Sequence, residues 1–156
     1  MTKKQKFLTL FKNRSFYQLY NIGGYLDELC GLLTELEIDN LMQLNVQFIR
    51  TCSPSSTVLL QDLIVNGCLT IINVDVEQKK VFHPKEFIAI LLHEIGHVFN
   101  PRLSGIDAEY AADNFVKTKG YALSIKSGLE RGLKYNFSGF EQITCGLRID
   151  NLLKSK

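Results

Sequence analysis

The stretch FIAILLHEIGHVFNPRLSGIDAEYAAD, residues 87–113, constrains this chain more than any other. It holds H-E-x-x-H as His93, Glu94 and His97, followed by Glu109 and Asp113. On an α-helix, residues four apart share a face. The two imidazoles can therefore grip one metal ion, and Glu94 between them can reach a water on that ion. The flanks predict the helix. His83-Pro84-Lys85-Glu86 reads as its start, with Pro84 at the first helical position and Glu86 near the positive end of the dipole. Phe87, Ile88, Leu91, Leu92 and Ile95 recur at helical spacing as a core-facing stripe. Pro101 disfavours a helical Asn100 and should stop the helix near Phe99. Gly96 costs about 1 kcal/mol against Ala in a helix interior, so it asks for a close neighbour as its reason.

Two imidazoles leave a catalytic zinc one protein ligand short. Residues 104–107 offer N-caps for a second helix over 108–119, which Gly120 would end, with Lys117 and Lys119 at its negative end. Ala108, Ala111, Ala112, Phe115 and Val116 make its buried stripe, and Glu109 and Asp113 fall one turn apart at the edge of that stripe. Glu109 is assigned as the third ligand. Asp113 then accepts the free ring N–H of a ligand histidine, fixing its tautomer and raising its basicity. Two neutral imidazoles and one carboxylate leave a zinc site net positive, which acidifies a bound water. Glu94 is the general base for that water. A second oxyanion donor is needed, and Tyr110, Tyr121, Tyr135, Arg131, Arg148 and His83 all remain candidates.

A bare H-E-x-x-H arises by chance in many chains. Glu109 alone also fits a solvated first-turn carboxylate, and Asp113 a surface ion-pair partner. The combination is what points to a metal: an apolar helix, Gly96 within it, and E-x-x-x-D opening the next helix. HEIGH followed by EYAAD resembles the gluzincin metallopeptidases, in particular the branch with an E-x-x-x-D helix. That branch includes the CaaX prenyl endopeptidase, the heat-shock membrane peptidase and the small soluble minigluzincins. The resemblance implies His93 and His97 as ligands, Glu94 as general base, Glu109 as the Glu ligand and Asp113 as the histidine-supporting Asp. It spans residues 45–135, including a strand before the active helix. The chain departs from the membrane members in its short gap between His97 and Glu109 and its lack of transmembrane helices. The short gap also resembles the anti-repressor metallopeptidases of mobile elements.

The rest of the chain fits a vessel for such a site. Its 156 residues suit a sizeable core, and 46% hydrophobic with 22% charged residues is ordinary for a soluble globular protein. A net charge of +2 gives no push toward nucleic acid or membrane, and no nucleic-acid partner is expected. No apolar run approaches the ~20 residues that span a bilayer, and residues 1–20 lack a signal-peptide core, so a cytoplasmic location is expected. Cys30, Cys52, Cys68 and Cys145 form no C-x-x-C pair and read as reduced, mostly buried thiols.

In order, residues 1–13 read as a loosely packed tail, with Lys3, Lys4 and Lys6 solvated. Residues 25–37 read as one amphipathic helix with Leu26, Leu29, Leu32, Leu33 and Leu36 inward. Residues 1–40 thus form an N-terminal helical or tail segment, a covering helix or, as in some small gluzincins, an inhibitory pro-segment. Residues 41–156 form the metallopeptidase domain. A strand is predicted over 44–50 and a loop over 53–56. TVLLQDLIV and CLTIINV, joined at Asn66-Gly67, predict a hairpin, with a helix over 57–65 as the competing pattern. The strand at 68–74 is expected to be an edge strand to which a peptide could add. Residues 121–134 predict a helix with Ala122, Ile125, Leu129 and Leu133 inward, and Ser138 to Glu141 a capping box for a last helix.

The expected fold is α+β and zincin-like, a small antiparallel sheet packed on helices that include the H-E-x-x-H helix. The expected function is a zinc-dependent endopeptidase with one zinc per chain, acting on a protein or peptide. The alternative is a catalytically silent metal-binding regulatory protein on the same scaffold. Oligomeric state is not legible here.

Overall fold

The computed structural model describes residues 1–12, 14–51, 56–64, 67–75, 78–136 and 140–154, with the backbone alone at 59–64, 67–68 and 78–79. The chain runs α1 (Lys3–Leu8), α2 (Arg14–Tyr20), a 3₁₀ turn (Ile22–Gly24), α3 (Tyr25–Leu32) and α4 (Glu35–Gln43). It continues through β1 (Val46–Thr51), β2 (Ser56–Ile64), β3 (Gly67–Asp75) and α5 (Gln78–Val81). The site helices α6 (Pro84–Phe99) and α7 (Gly105–Thr118) follow, then α8 (Ala122–Lys134) and α9 (Gln142–Lys154). The architecture is mixed α+β.

The sheet corrects two expectations. Its strand order is β1-β3-β2, so β3 is central, and of the two edge strands it is β2 that reaches the H-E-x-x-H helix through the Thr57 side chain. It is also mixed rather than antiparallel. β3 pairs antiparallel with β2, from Ser56↔Asn73 to Ile64↔Gly67, but parallel with β1, from Val46↔Thr70 to Thr51↔Asp75. The hairpin pattern at 57–74 prevails over the competing helix. The tight-turn position Asn66, the loop at 53–55 and the capping residue Ser138 lie outside the described residues, as does Cys52.

The N-terminal residues are not a loose tail. Thr2 caps α1 in a reciprocal box with Gln5, and Phe7, Leu10 and Phe11 are buried. Phe11 stacks on Phe16 and Phe48, and the Phe48 N–H donates to the Leu10 carbonyl at 3.0 Å. The lysines are paired, Lys4 with Asp27 at 2.9 Å and Lys6 with Asp39 at 2.8 Å. Residues 25–37 are likewise two helices, not one. Leu33 is extended, and Thr34 opens α4 by accepting from the Glu37 N–H while Glu37 accepts from the Thr34 N–H. The break turns Leu36 out to 69% exposure while Leu33 stays buried. T-x-x-E is a legible capping box that a leucine period obscures.

α6 is the core helix. Every residue from Glu86 to Gly96, and Val98, is buried, which exceeds the single stripe expected. A helix apolar nearly all round must be enclosed, and α3, α7, α8, β2 and β3 pack against it. It begins at Pro84 behind the N-cap His83 and ends at Phe99, as Pro101 requires. α7 starts at Gly105, three residues before the expected Ala108, with Ser104 as N-cap. Gly120, at φ +80°, ends α7. Its N–H bonds to the Lys117 carbonyl and the Tyr121 N–H to the Val116 carbonyl, the paired closure that glycine permits there.

Candidate metal centre

The site lies where α6 and α7 touch. A Cβ on Gly96 would come 2.7 Å from the Ala112 Cα, so this glycine is what lets the two backbones close. The close approach brings Glu109 on α7 to His93 and His97 on α6. His93 Nε2 and His97 Nε2 are 3.0 Å apart, Glu109 Oε2 is 3.2 Å from His93 Nε2, and Glu109 Oε1 is 3.5 Å from His97 Nε2. These donors all lie within 4.8 Å of one another and can hold a metal ion.

The donor set fits a zinc-sized cation on two grounds. Ligands about 2.0–2.1 Å from a tetrahedral ion stand about 3.3 Å from one another; the two Nε2 atoms, and each Glu109 oxygen with the imidazole it faces, lie close to that separation. The protonation states also suit. Burial, then the neighbouring His93, pushes the His97 imidazole down to about 4, so it offers a lone pair at neutral pH. Burial would raise the Glu109 carboxyl, but its bond to His93 and the charges of His93 and Arg148 hold it below the usual range. For His93, burial and the Arg148 charge press downward, and hydrogen bonds to Asp113 and Glu109 outweigh them, so its pKa rises. Asp113 and Glu109 thus face the His93 ring from its two nitrogens, and a divalent ion on the Nε2 side would take the place of a proton there.

Asp113 is fully buried, with Oδ1 2.8 Å from His93 Nδ1. Burial would raise its pKa, but the Arg148 and His93 bonds hold it down to about 2. His93 therefore turns Nδ1 to Asp113 and Nε2 to the triangle, the orientation a metal-bound histidine needs.

Glu94 is buried at 6% exposure, and burial raises its carboxyl pKa. Thr57 Oγ1 on β2 stands 2.9 Å from the Glu94 carbonyl oxygen and 3.0 Å from its Oε2, so one hydroxyl ties the edge strand to this carboxylate. Nothing in the sequence around Thr57 singles it out.

Arg148 on α9 was one of six candidate oxyanion donors and is committed elsewhere. Its Nε and Nη2 donate to Asp113 Oδ2 and Oδ1 at 2.9 and 2.7 Å, and its Nη1 forms an ion pair with Glu109 Oε2 at 2.9 Å. Its Nη2 also sits 3.1 Å from His93 Nδ1, because both donors converge on Asp113 Oδ1. Two other candidates are likewise engaged away from the triangle. Arg131 Nε pairs with Glu86 at 2.6 Å, and the Tyr121 hydroxyl donates to Glu28. His83 serves as the α6 N-cap and Tyr135 is more than half exposed.

No helix among the described residues is long and apolar enough to cross a membrane, and Cys30 and Cys145 are buried free thiols. Set against protein-family models, curated proteins and solved structures, the chain matches none.

Proposed function

We propose that the chain is a zinc-dependent endopeptidase in which His93, His97 and Glu109 hold the metal and Glu94 is the general base. The observation that carries this reading is the convergence of the two Nε2 atoms, 3.0 Å apart, with the two Glu109 oxygens at 3.2 and 3.5 Å from them, and Glu94 buried on the same helix between the two imidazoles. Two imidazoles and a carboxylate are a donor set of catalytic rather than structural zinc. A zinc ion held there supplies Lewis-acid polarisation and lowers the pKa of a bound water to about 7. Asp113 fixes the His93 ring so that Nε2 faces the ion. Glu94 takes a proton from the attacking water and returns it to the leaving amine. Thr57 holds the Glu94 carboxylate toward β2. A peptide adding to the β2 edge as a further strand would therefore run beside the base. This assigns to β2 the role that the sequence pattern gave to β3.

The test is Glu94→Gln, assayed for zinc content and for cleavage of a quenched-fluorescence peptide library with and without chelator. The variant is expected to keep its metal and fold and to lose hydrolysis by a factor of about 10²–10⁴. Cleavage at the wild-type rate by the variant overturns the mechanism. A wild type that takes up zinc yet cleaves nothing in the library is instead a metal-stabilised binding protein.

A further inference from the structure

We infer that Arg148 is a positioning residue of the metal centre, and that through it the docking of the C-terminal helix α9 and the binding of metal are one linked equilibrium. The inference rests on the metal reading above. The strongest bland alternative is an ordinary buried ion pair between Arg148 and Asp113. The third contact, an ion pair to a second carboxylate, argues against it. A bidentate fork on Asp113 already satisfies the pair, yet Nη1 extends to Glu109 and takes Oε2, the oxygen that faces His93 Nε2. One guanidinium thus joins the third ligand to the carboxylate that orients the first.

Glu109 needs such a tether. Its side chain is 27% exposed and lies on a helix edge, where a free carboxylate would swing to water. Asp113, by contrast, is fully buried and has nowhere to go. Arg148 therefore contributes most by selecting the Glu109 rotamer that closes the triangle. Only a planar fork with donors on three nitrogens can hold both carboxylates at once; a lysine ammonium is a single point.

The same bonds anchor α9. Its buried side chains are Cys145 and Arg148, while Ile143, Leu147 and Leu153 are exposed at 80, 45 and 60%. A helix buried so lightly depends on its polar anchor. Whatever orders Glu109 and Asp113 favours the docked helix, and by reciprocity the docked helix favours the metal.

The test uses the full chain. Zinc affinity is measured by competition with a chromophoric chelator for wild type and Arg148→Lys, and the absorption of the Co²⁺-substituted proteins is recorded. Lysine keeps the charge, so the field is preserved and the fork is lost. Arg148→Lys is expected to bind zinc about 10–100-fold more weakly, with an altered Co²⁺ spectrum. Hydrogen exchange of residues 142–154 in wild type is expected to slow when zinc is added. A variant that binds zinc as tightly as wild type with the same spectrum overturns the inference, even if it melts earlier. So does wild-type exchange over 142–154 that ignores zinc, a result that needs no variant. A wild type that takes up no zinc at all removes the metal reading itself, and this inference falls with it.

Discussion

The two ends of α6 carry the same device with opposite charge balance. Near its N-terminus Glu86 is buried at 3% exposure and meets Arg131 from α8, at 2.6 Å from Nε. The Ser127 hydroxyl donates to it at 2.5 Å and the His83 N–H at 2.8 Å. Near the C-terminal end, Arg148 from α9 serves both Glu109 and Asp113. The first cluster closes: one carboxylate, one guanidinium, and its remaining lone pairs met by neutral donors. The second is left one negative charge over, faced by two imidazole nitrogens. A balanced buried pair is structural. A surplus carboxylate beside paired imidazoles is a place for a cation. Burial and an arginine therefore do not distinguish a site from a strut; the count of charges does.

The sharpest way to break this contrast is to add zinc. A ligand that binds only the folded state at about a thousand times its Kd stabilises by about 4 kcal/mol. Wild type is expected to gain that stabilisation in a melt against chelator. Glu109→Gln should lose the gain almost wholly, because a neutral amide replaces the carboxylate ligand, while Glu86→Gln should keep it in full. Equal zinc responses in the two variants would show that the charge surplus at the second cluster has no meaning.

The balanced end should matter for folding alone. Glu86→Ala removes a buried partner and the first-turn acceptor of α6, at a cost of about 3 kcal/mol. The low end of that range applies because the Arg131 side chain is 24% exposed and can turn to water. The dependence on pH follows from the sign of the shift. Burial alone would raise the Glu86 carboxyl, but Arg131, Ser127 and the His83 N–H together hold it below 4.5. The unfolded chain thus binds this proton more readily than the folded one. The stabilisation is complete above the unfolded value and drains away as pH falls through the folded value. In zinc-free protein, the advantage of wild type over Glu86→Gln should be constant near neutrality and shrink below about pH 4.5. Denaturant midpoints that stay equally far apart down to low pH would contradict it.

The site was legible because its chemistry is local. His93, Glu94 and His97 lie within one turn or so of each other, and Glu109 and Asp113 one turn apart on the next helix, so helical periodicity puts each set on one face, while Gly96 lets the two faces meet. Thr57 and the role of Arg148 were not legible, because each reaches the site from a distant element. Arg148 shares a helical face with Cys145 and Leu152, and a pattern rule would instead bury Ile143 and Leu147. The pattern fails here because a buried carboxylate, Asp113, and a half-buried one, Glu109, outbid two apolar side chains for the inward face. The sheet failed for a different reason. Hairpin chemistry specified β2 with β3, but nothing local tells β1 to add parallel on the far side of β3. The N-terminal helix was missed because three early lysines mask Phe7, Leu10 and Phe11, whose partners Phe16 and Phe48 come later in the chain.

A last contrast concerns the glycine at each end. Gly96→Ala would drive a methyl to 2.7 Å from the Ala112 Cα and 3.0 Å from its carbonyl oxygen, both backbone atoms that cannot turn aside. α7 must back away, at about 2 kcal/mol for overpacking. Because Glu109 rides on α7 and both candidate ligand imidazoles ride on α6, the same substitution should weaken zinc. Gly128 on α8 faces the balanced cluster, and a Cβ there would meet Glu86 Cβ at 3.7 Å, an ordinary contact. Gly128→Ala is therefore expected to stabilise by about 0.5–1 kcal/mol, through lost freedom of the unfolded chain, and to leave zinc affinity as it is. Paired melts and zinc titrations read both effects. If the two alanines behaved alike, close helix contact would not be what sets Glu109 against the histidines. If they diverge as expected, the backbone separation of α6 and α7 is itself part of the metal centre, and the helix pair at the other end is only support.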